Sequence, residues 1–423
     1  MILLSHPTAN ANVRQAALAF HEAHWLREFW TCVAWNPKHP VNRLLPRRVV
    51  TELARRSFAP QLEPYLHTHP RRELVRLICG RVGLGQLSVG EDSPLSIDAV
   101  YRSLDGYVAR RLRREGGVST VYAFEDGALE TFRVANELGA RCLYELPIGY
   151  WRAARSVYQE EAVREPAWAP TLTGCRDSPT KLARKDTELQ RADQVIVASR
   201  FTERTLQLAP HSVPVVTVIP YGAPAAVSGA LPHHRAGKLR VLFVGALGQR
   251  KGLSYLVTAV ERMSAAVELT LLGVKTSATC APLNEAVRRH PWIPSLPHAE
   301  VLAEMGRHDL LVFPSLFEGF GLVILEALSQ GIPVITTPHT GGPDVITEGV
   351  DGFIVPIRSS LAIAEKLELL ARDHPLLCDM KEAARATARR LSWENYRSRL
   401  VAAVTPLVTR EIGLVPQPLT EAR

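Results

Sequence analysis

The chain has 423 residues, of which 46% are hydrophobic and 22% charged, and its formal net charge is +8. This composition is typical of a folded globular protein and excludes a disordered or low-complexity chain. The length predicts two domains, and no apolar run reaches the roughly 18 to 20 residues that a membrane-spanning helix needs.

The first residues and the cysteines favour a cytoplasmic protein. MILLSHPTAN reads as the start of a strand, without the basic region or cleavage site of a signal peptide. The six cysteines are scattered and form no CxxC pair, which is typical of reduced thiols. We therefore expect a cytoplasmic location, either free or peripheral on the inner face of the membrane.

Strand-like and helix-like segments alternate through the N-terminal half. A strand at MILLS precedes a helix predicted from about Asn12 to Phe29, and TCVAW follows. Residues 40–115 are predicted to form a mostly helical, arginine-rich insertion. Strands at 119–125 and 140–147 flank another helix, and residues 185–210 read as helix, short strand and helix. Such alternation predicts a parallel sheet with helices on both faces.

The same alternation restarts after a stretch rich in Pro, Gly and Ala. We predict an N-terminal domain at 1–225, a linker at 226–238 and a second domain at 239–390. A final helix and tail occupy 391–423, and Ser392 is placed to cap that helix. The predicted fold class is α/β, with two Rossmann-like, doubly wound domains.

The positive charge is concentrated in the insertion. Residues 41–115 contain 14 Arg and Lys against 8 Asp and Glu, which accounts for +6 of the net +8. A solvated helix face explains this pattern, and so does a basic patch that attracts an anionic membrane or an acidic substrate. Nucleic acid is disfavoured as a partner because the run lacks interleaved aromatic residues and no nucleic-acid-binding module is recognisable.

Two glutamates eight positions apart mark the strongest candidate site, in FPSLFEGFGLVILEALSQG at 313–331. A buried strand ends before Glu318, a glycine turn follows, and a helix begins near Leu322. Ligands of open parallel sheets bind beyond the carboxyl ends of the strands, where this turn lies. The free N–H groups at Gly321–Val323 favour an anion. Glu326 lies about 6 Å further along the helix axis and can accept hydrogen bonds from hydroxyl groups beside that anion.

A second anion site is predicted at VLFVGALGQRKG, residues 241–252. The strand ends at Gly245, and the following loop delivers Arg250 and Lys251 just before a helix that begins near Leu253. Paired cations can stabilise the charge that develops on a dianionic leaving group. An ordinary surface loop is the alternative, but both motifs lie at the same edge of the sheet.

Five segments in order resemble the donor domain of a GT-B glycosyltransferase of the retaining family 4 type. They are VGALGQRKG, DLLVFPSLFEGFGLVILEAL, GIPVITT, TGGPDVITEGVDGFIV and SWENY, within about 240–397. The resemblance implies that the two domains face each other across a cleft and that the last helix crosses back to the N-terminal domain. It implies that Arg250 and Lys251 hold a diphosphate, that Glu318 contacts the donor sugar and that Glu326 binds the ribose. The expected donor-binding residues are Gly245, Gly319, Phe320, Gly321, Leu322, Val323 and Glu326, with Glu318, Arg250 and Lys251 as the catalytic group.

The resemblance also implies a metal-independent enzyme with no cofactor, and no two aspartates lie two positions apart to form a DxD motif. Two departures from the family pattern concern the loop after the first strand, which lacks a Gly-Gly pair, and Asp344, which stands where a glutamate is usual. In the N-terminal domain, Glu125, Asp126 and Glu145 follow or end strands and are candidate acceptor contacts. Turn chemistry is the alternative explanation for the first two.

The function that follows from the resemblance is transfer of a hexosyl group from a nucleotide diphosphate sugar to an acceptor hydroxyl, with retention. A role in cell envelope polysaccharide synthesis is expected, with a glycan, a lipid-linked sugar or a small molecule as acceptor. The alternatives are a nucleotide-sugar 2-epimerase, a phosphorylase, or a partner subunit that keeps the fold without turnover.

Overall fold

The computed structural model describes residues 1–8, 10–36, 47–54, 56–81, 83–172, 174, 177–231 and 237–409. The first part of the expected insertion, the last part of the expected linker (232–236) and the tail from 410 lie outside the described residues.

The N-terminal domain is built on a seven-stranded parallel sheet. Across the sheet the strands run in the order β3 (Leu66–Thr68), β2 (Leu26–Thr31), β1 (Ile2–Ser5), β4 (Thr120–Phe124), β5 (Arg141–Leu146), β6 (Gln194–Val197) and β7 (Val215–Val218). Helices that connect the strands are α1 (Ala11–Glu22), α2 (Arg47–Ala54), α3 (Arg71–Arg81), α4 (Ile97–Glu115), α5 (Leu129–Glu137), α6 (Trp151–Arg164), α7 (Pro179–Gln190) and α8 (Arg200–Thr205). The strand order reverses between β1 and β4, so ligands are expected at the carboxyl ends of these strands.

The C-terminal domain repeats this design on a six-stranded parallel sheet. Its strands run in the order β10 (Trp292–Ile293), β9 (Val267–Leu272), β8 (Leu239–Val244), β11 (Leu310–Phe313), β12 (Val334–Thr336) and β13 (Gly352–Ile354). Its helices are α9 (Leu253–Arg262), α10 (Ala281–Arg289), α11 (His298–Met305), α12 (Leu322–Ser329), α13 (Gly342–Val345), α14 (Ser360–Arg372), α15 (His374–Arg390) and α16 (Trp393–Thr409). The predicted pair of doubly wound α/β domains is confirmed.

The last helix, α16, packs against the N-terminal domain. Arg397 forms an ion pair with Glu22 of α1 at 2.8 Å and donates a hydrogen bond to the side chain of Gln15. Tyr396 is buried against Tyr221, which precedes the connection between the domains. The two sheets are therefore joined by a continuous apolar core as well as by the chain connection.

One predicted element was wrong. The first helix ends at Glu22 instead of continuing to Phe29, because His24 adopts a left-handed conformation with φ of 58°. Residues 26–31 form β2, which lies between β1 and β3 and buries every residue except Arg27. A short apolar run that is buried on both faces has no period that distinguishes a strand from a helix. The short strand β3 inside the insertion was also missed, because its three residues are too few to show the alternation that identifies a strand.

A buried ion cluster ties α15 to the C-terminal sheet. Asp309 accepts hydrogen bonds from Arg240 and from Lys381, the latter at 2.9 Å, and neither Asp309 nor Lys381 is exposed. Burial opposes ionisation of Asp309, but the bonds from Arg240 and Lys381 outweigh it and hold the pKa of Asp309 below its ordinary value.

We expect Asp309→Ala to lower the free energy of unfolding by about 3–5 kcal/mol, because it leaves the Lys381 ammonium buried without its carboxylate. Urea denaturation followed by tryptophan fluorescence measures the change. Asp379→Ala, which removes an exposed carboxylate from the same helix, is the control. Equal denaturation midpoints for the two variants would contradict the assignment of this cluster as a stabilising link.

Candidate active site

The turn between β11 and α12 is held tightly between the two domains. A Cβ on Gly319 would lie 1.8 Å from the carbonyl oxygen of Pro147, so only glycine fits there. The carbonyl of Gly319 accepts hydrogen bonds from the hydroxyls of Ser199 and Thr202. Gly321 precedes α12 with φ of 87°, a conformation that favours glycine. The backbone of this turn is therefore fixed by contacts from the N-terminal domain.

The predicted cations meet the first glutamate of the motif. Arg250 Nη1 lies 3.1 Å from Glu318 Oε2, and Lys251 Nζ pairs with the same oxygen. Lys251 is buried, with Nζ 4.5 Å from the centroid of the Phe313 ring. In this structure the Glu318 carboxylate thus neutralises the two cations that the sequence assigned to a diphosphate.

A cavity of about 290 Å³ lies between the domains beside this cluster. Seven of the predicted residues line it: Gly245, Lys251, Glu318, Phe320, Gly321, Leu322 and Val323. The first N–H groups of α12 have no partner within the helix and are available at its wall. Arg250 lines a neighbouring cavity of about 300 Å³ together with Lys251.

Part of the cavity wall was not foreseen. Asn12, Pro147 and Tyr221 supply it from the N-terminal domain, and Val244 and Phe313 from the C-terminal strands. Asn12 lies in the first turn of α1, the helix that follows β1, so the rule that ligands bind at the carboxyl ends of strands could have indicated it. Tyr221 lies in a stretch without any periodic pattern, and the sequence carries no signal for its position.

Glu326, the second glutamate, is directed toward α11 and does not line this cavity. Its Oε1 lies 2.9 Å from Nε2 of His298, and its side chain is partly buried. The hydrogen bond that His298 donates to the Glu326 carboxylate raises the pKa of His298 above its ordinary value, while burial and the charge of Arg14 oppose this shift. Three helices therefore meet at this pair: α12 with Glu326, α11 with His298 and α1 with Arg14.

We expect the His298–Glu326 pair to stabilise the protein more in mild acid than in mild base. Because the folded-state pKa of His298 is raised, its contribution is complete below about pH 6.5 and is lost as the pH rises through the folded pKa. The melting temperature of wild type should exceed that of His298→Gln by more at about pH 6 than at about pH 8. His290→Gln is the control. Because burial lowers the pKa of His290, the melting temperature of wild type relative to His290→Gln should be lower at about pH 6 than at about pH 8. Parallel pH profiles for the two variants would contradict this assignment.

The expectation that Glu145 contacts the acceptor needs correction, and Asp344 lies elsewhere. Glu145 does not reach the cleft: it is fully buried and accepts hydrogen bonds from Asn12, Tyr122 and Tyr221. It supports the cavity wall from behind, and burial raises its pKa. Asp344 accepts a hydrogen bond from the backbone N–H of Arg200 at 3.0 Å, so it joins α13 to α8 and is not part of the cavity wall.

Glu125 and Asp126 lie at the end of β4, away from the Lys251 cluster. The carboxylate of Glu125 is 3.3 Å from Lys185, and that of Asp126 is 3.2 Å from Arg184. Both line a separate cavity in the N-terminal domain.

Comparisons with known proteins agree with this architecture. Residues 232–387 match the family model described as glycosyl transferases group 1. A D-inositol 3-phosphate glycosyltransferase from Arthrobacter sp. (strain FB24) is 32% identical over 175 residues, which cover 38% of this chain and 41% of that protein. In the curated relatives that it matches, the chain spans about half of their length or less.

Two solved structures resemble the chain over almost all of its length. Sucrose-phosphate synthase from Thermosynechococcus elongatus has a TM-score of 0.64 at 19% identity and covers 97% of this chain and 99% of its own. Anabaena HepE was solved with UDP, with UDP and glucose and with UDP-glucose. It has a TM-score of 0.62 at 15% identity, and the match covers 96% of this chain and 99% of HepE. Residues 232–387 thus match the group 1 glycosyltransferase family model, within a chain that has the GT-B fold.

Proposed function

We propose that the protein is a retaining glycosyltransferase that moves a hexosyl group from a nucleotide diphosphate sugar to an acceptor hydroxyl. The observation that carries this proposal is the convergence of Lys251, Glu318 and the first turn of α12 on one cavity between the domains. The cavity offers positive charge and N–H groups for a diphosphate, and a carboxylate for the hydroxyls of a sugar.

Charge neutralisation is the main catalytic contribution in this proposal. As the bond between the anomeric carbon and the diphosphate oxygen breaks, negative charge grows on the diphosphate beside Arg250, Lys251 and the start of α12. The acceptor oxygen forms the new bond to the anomeric carbon from the same face. Its proton passes to the leaving phosphate oxygen. In this proposal Arg250, Lys251 and the start of α12 supply the positive charge that a metal ion would otherwise supply, and we assign no covalent role to Glu318.

The diphosphate and the Glu318 carboxylate compete for the same cations in this scheme. Binding of the donor must therefore displace Glu318 from Arg250 and Lys251 and release it toward the sugar. Domain contacts at Gly319 hold the backbone of the turn during this change, so a side-chain rotation suffices. Exclusion of water from the cavity favours transfer over hydrolysis.

Thermal stabilisation by a panel of UDP, GDP, ADP and TDP tests the donor site. UDP is the first nucleotide to examine because the HepE structures hold UDP and UDP-glucose. A nucleotide at about 100 times its dissociation constant should add about 2.7 kcal/mol of stability. Failure of every nucleotide to stabilise the protein, together with the absence of nucleotide release from any sugar donor, would overturn the proposal.

Turnover assays separate the remaining activities. A 2-epimerase converts a nucleotide sugar without any acceptor, and a phosphorylase requires inorganic phosphate. A non-catalytic partner subunit binds the nucleotide without turning over. Turnover that depends on an acceptor hydroxyl, with retained configuration in the product, supports the glycosyltransferase.

We also propose that the insertion contacts an anionic membrane from the cytoplasmic side. Arg71, Leu74, Val75 and Ile78 follow the spacing of one helix face, and this face of α3 is exposed, with Ile78 at 58%. The segment that follows α3 exposes Leu84, Leu87 and Val89 as well. An outward apolar stripe within a region of excess arginine suits an interfacial helix.

No helix in the described ranges has the length and apolar character needed to cross a bilayer. The five cysteines in those ranges are free thiols.

Vesicle flotation tests the membrane contact. Wild type should float with vesicles that contain anionic lipid and much less with neutral ones, because apolar burial and arginine attraction act together. The double variant Leu74→Ser and Ile78→Ser should lose most of this binding. Leu361→Ser, at an equally exposed leucine of α14 in the other domain, is the control. Equal flotation of all three proteins, or indifference to lipid charge, would contradict the proposal.

A further inference from the structure

A second cavity, of about 330 Å³, lies in the N-terminal domain at the carboxyl ends of β1 and β4. Its wall includes His6, Asp98, Tyr101, Phe124, Asp126 and Lys181. Asn12 and Pro147 belong to the walls of both this cavity and the one beside Lys251. A molecule bound in the second cavity would therefore be an immediate neighbour of a donor bound in the first.

The wall of this cavity contains a buried histidine with one ring nitrogen available. His6 is only 4% exposed, and its ring packs edge-on against Phe124 and Tyr101, with centroids 4.6 and 5.8 Å away. Nδ1 is engaged by Thr8, and the hydrogen bonds among the described residues include none at Nε2. Burial lowers the pKa of His6 to about 4, so the imidazole is neutral near pH 7. A neutral imidazole can bind a hydroxyl group in either tautomer.

The charges around the cavity are already matched to one another. Asp98 pairs with Arg102 at 2.9 Å and also with Arg184. Lys181 pairs with Asp177 at 2.8 Å and lies 3.9 Å from Asp126. Among the described residues that line the cavity, Lys181 is the only lysine or arginine. An anionic ligand would thus have to break an existing ion pair to obtain a cation.

We propose that this cavity binds the acceptor and that the acceptor presents an uncharged sugar or polyol ring there. Tyr101 and Phe124 provide apolar surface for the ring, while His6, Asp126 and Asn12 provide polar groups for its hydroxyls. The paired charges disfavour a phosphorylated acceptor. This inference rests on the proposed glycosyl transfer, since it names the class of molecule whose hydroxyl receives the sugar. That molecule is either free in solution or the headgroup of a glycolipid.

The test compares acceptors by nucleotide release from the donor that the enzyme accepts. The panel contains uncharged monosaccharides, short oligosaccharides and myo-inositol, their phosphate esters, and vesicles that carry a glycolipid with an uncharged sugar headgroup. We expect uncharged rings to stimulate release and their phosphate esters to have a kcat/KM about tenfold lower or worse. Stimulation by the free sugars identifies a soluble acceptor, and stimulation only by the vesicles identifies a glycolipid.

Variants connect the acceptor to this cavity. Tyr101→Ala, which removes the aromatic face, and His6→Ala should each raise the acceptor KM about tenfold while the donor KM and the stabilisation by nucleotide remain unchanged. His211→Ala, at a histidine outside both cavities, should leave the acceptor KM unchanged. If His6→Ala fails to fold, Tyr101→Ala, at a position that is only half-buried, carries the test.

A preference for phosphate esters, or an unchanged acceptor KM in both variants, would overturn the inference. The inference would also be overturned if a nucleotide stabilises the enzyme but no uncharged acceptor stimulates nucleotide release. Failure of the proposed function has a different signature, because then no nucleotide stabilises wild type. Ligand-observed NMR with the same sugars and esters measures binding to the cavity without any donor. If no sugar binds wild type, or if the Tyr101 variant binds the sugars as well as wild type does, the inference is also overturned.

Discussion

Lys251→Ala should lower turnover about 100- to 1,000-fold, the usual cost of removing one group that stabilises transition-state charge. The side chain is buried, is held over the Phe313 ring and lines the cavity between the domains. Arg250 lines the neighbouring cavity instead, so it would neutralise only part of the charge on the leaving group. The same variant should reduce the stabilisation that a nucleoside diphosphate gives to wild type.

Steady-state kinetics and thermal unfolding with nucleotide measure both effects. Lys238→Ala, which removes an exposed lysine near the start of the same domain, is the control and should retain wild-type values. Wild-type turnover in Lys251→Ala would refute a role for this ammonium in neutralising the leaving group.

Glu318→Gln should change binding and turnover in opposite directions. The Glu318 carboxylate occupies Arg250 and Lys251, so a diphosphate must displace it. The amide has no negative charge to compete with the ligand. We therefore expect a nucleoside diphosphate to bind about tenfold more tightly, which corresponds to about 1.4 kcal/mol. Turnover should fall because the carboxylate no longer accepts hydrogen bonds from the donor sugar.

Glu326→Gln provides the matched control for this prediction. It makes the same chemical change in the same motif, at a residue that binds His298 instead of the cations. We expect it to weaken nucleotide binding, because Glu326 is proposed to hold the ribose. Isothermal titration with the nucleotide that stabilises wild type measures whether each variant binds it more tightly or more weakly than wild type. Weaker binding in Glu318→Gln would show that Glu318 does not compete with the diphosphate.

Local residue patterns in the sequence were sufficient to predict those parts of the site that depend on a few consecutive residues. The helices after the two motifs begin at Leu253 and Leu322, as predicted, because glycine turns and apolar periodicity act over a few residues. Gly321 has a left-handed backbone that favours glycine, and this requirement is visible in the sequence as a Gly-x-Gly turn. The need for glycine at 319 comes instead from the carbonyl of Pro147 in the other domain.

The chain order alone could not reveal contacts between distant segments. Nothing near Glu318 in the sequence indicates that its carboxylate pairs with Arg250 and Lys251, since that contact spans 67 residues. The same is true of Glu145, whose burial depends on Asn12 and Tyr221 from opposite ends of the N-terminal domain. Local patterns describe which face of an element is apolar, but not which side chains meet across a cleft.

The sequence by itself determined the fold class, the repeated α/β design and the motifs that lie at the carboxyl edge of the second sheet. Periodicity and turn chemistry depend on residues that are neighbours in the sequence, so they can be recognised without the tertiary structure. Only the tertiary structure decided the limits of β2, the pairing of Glu318 with the cations and the neutral cavity around His6. These features depend on which segments the packed domains bring together, because burial and electrostatic pairing are properties of a position in space.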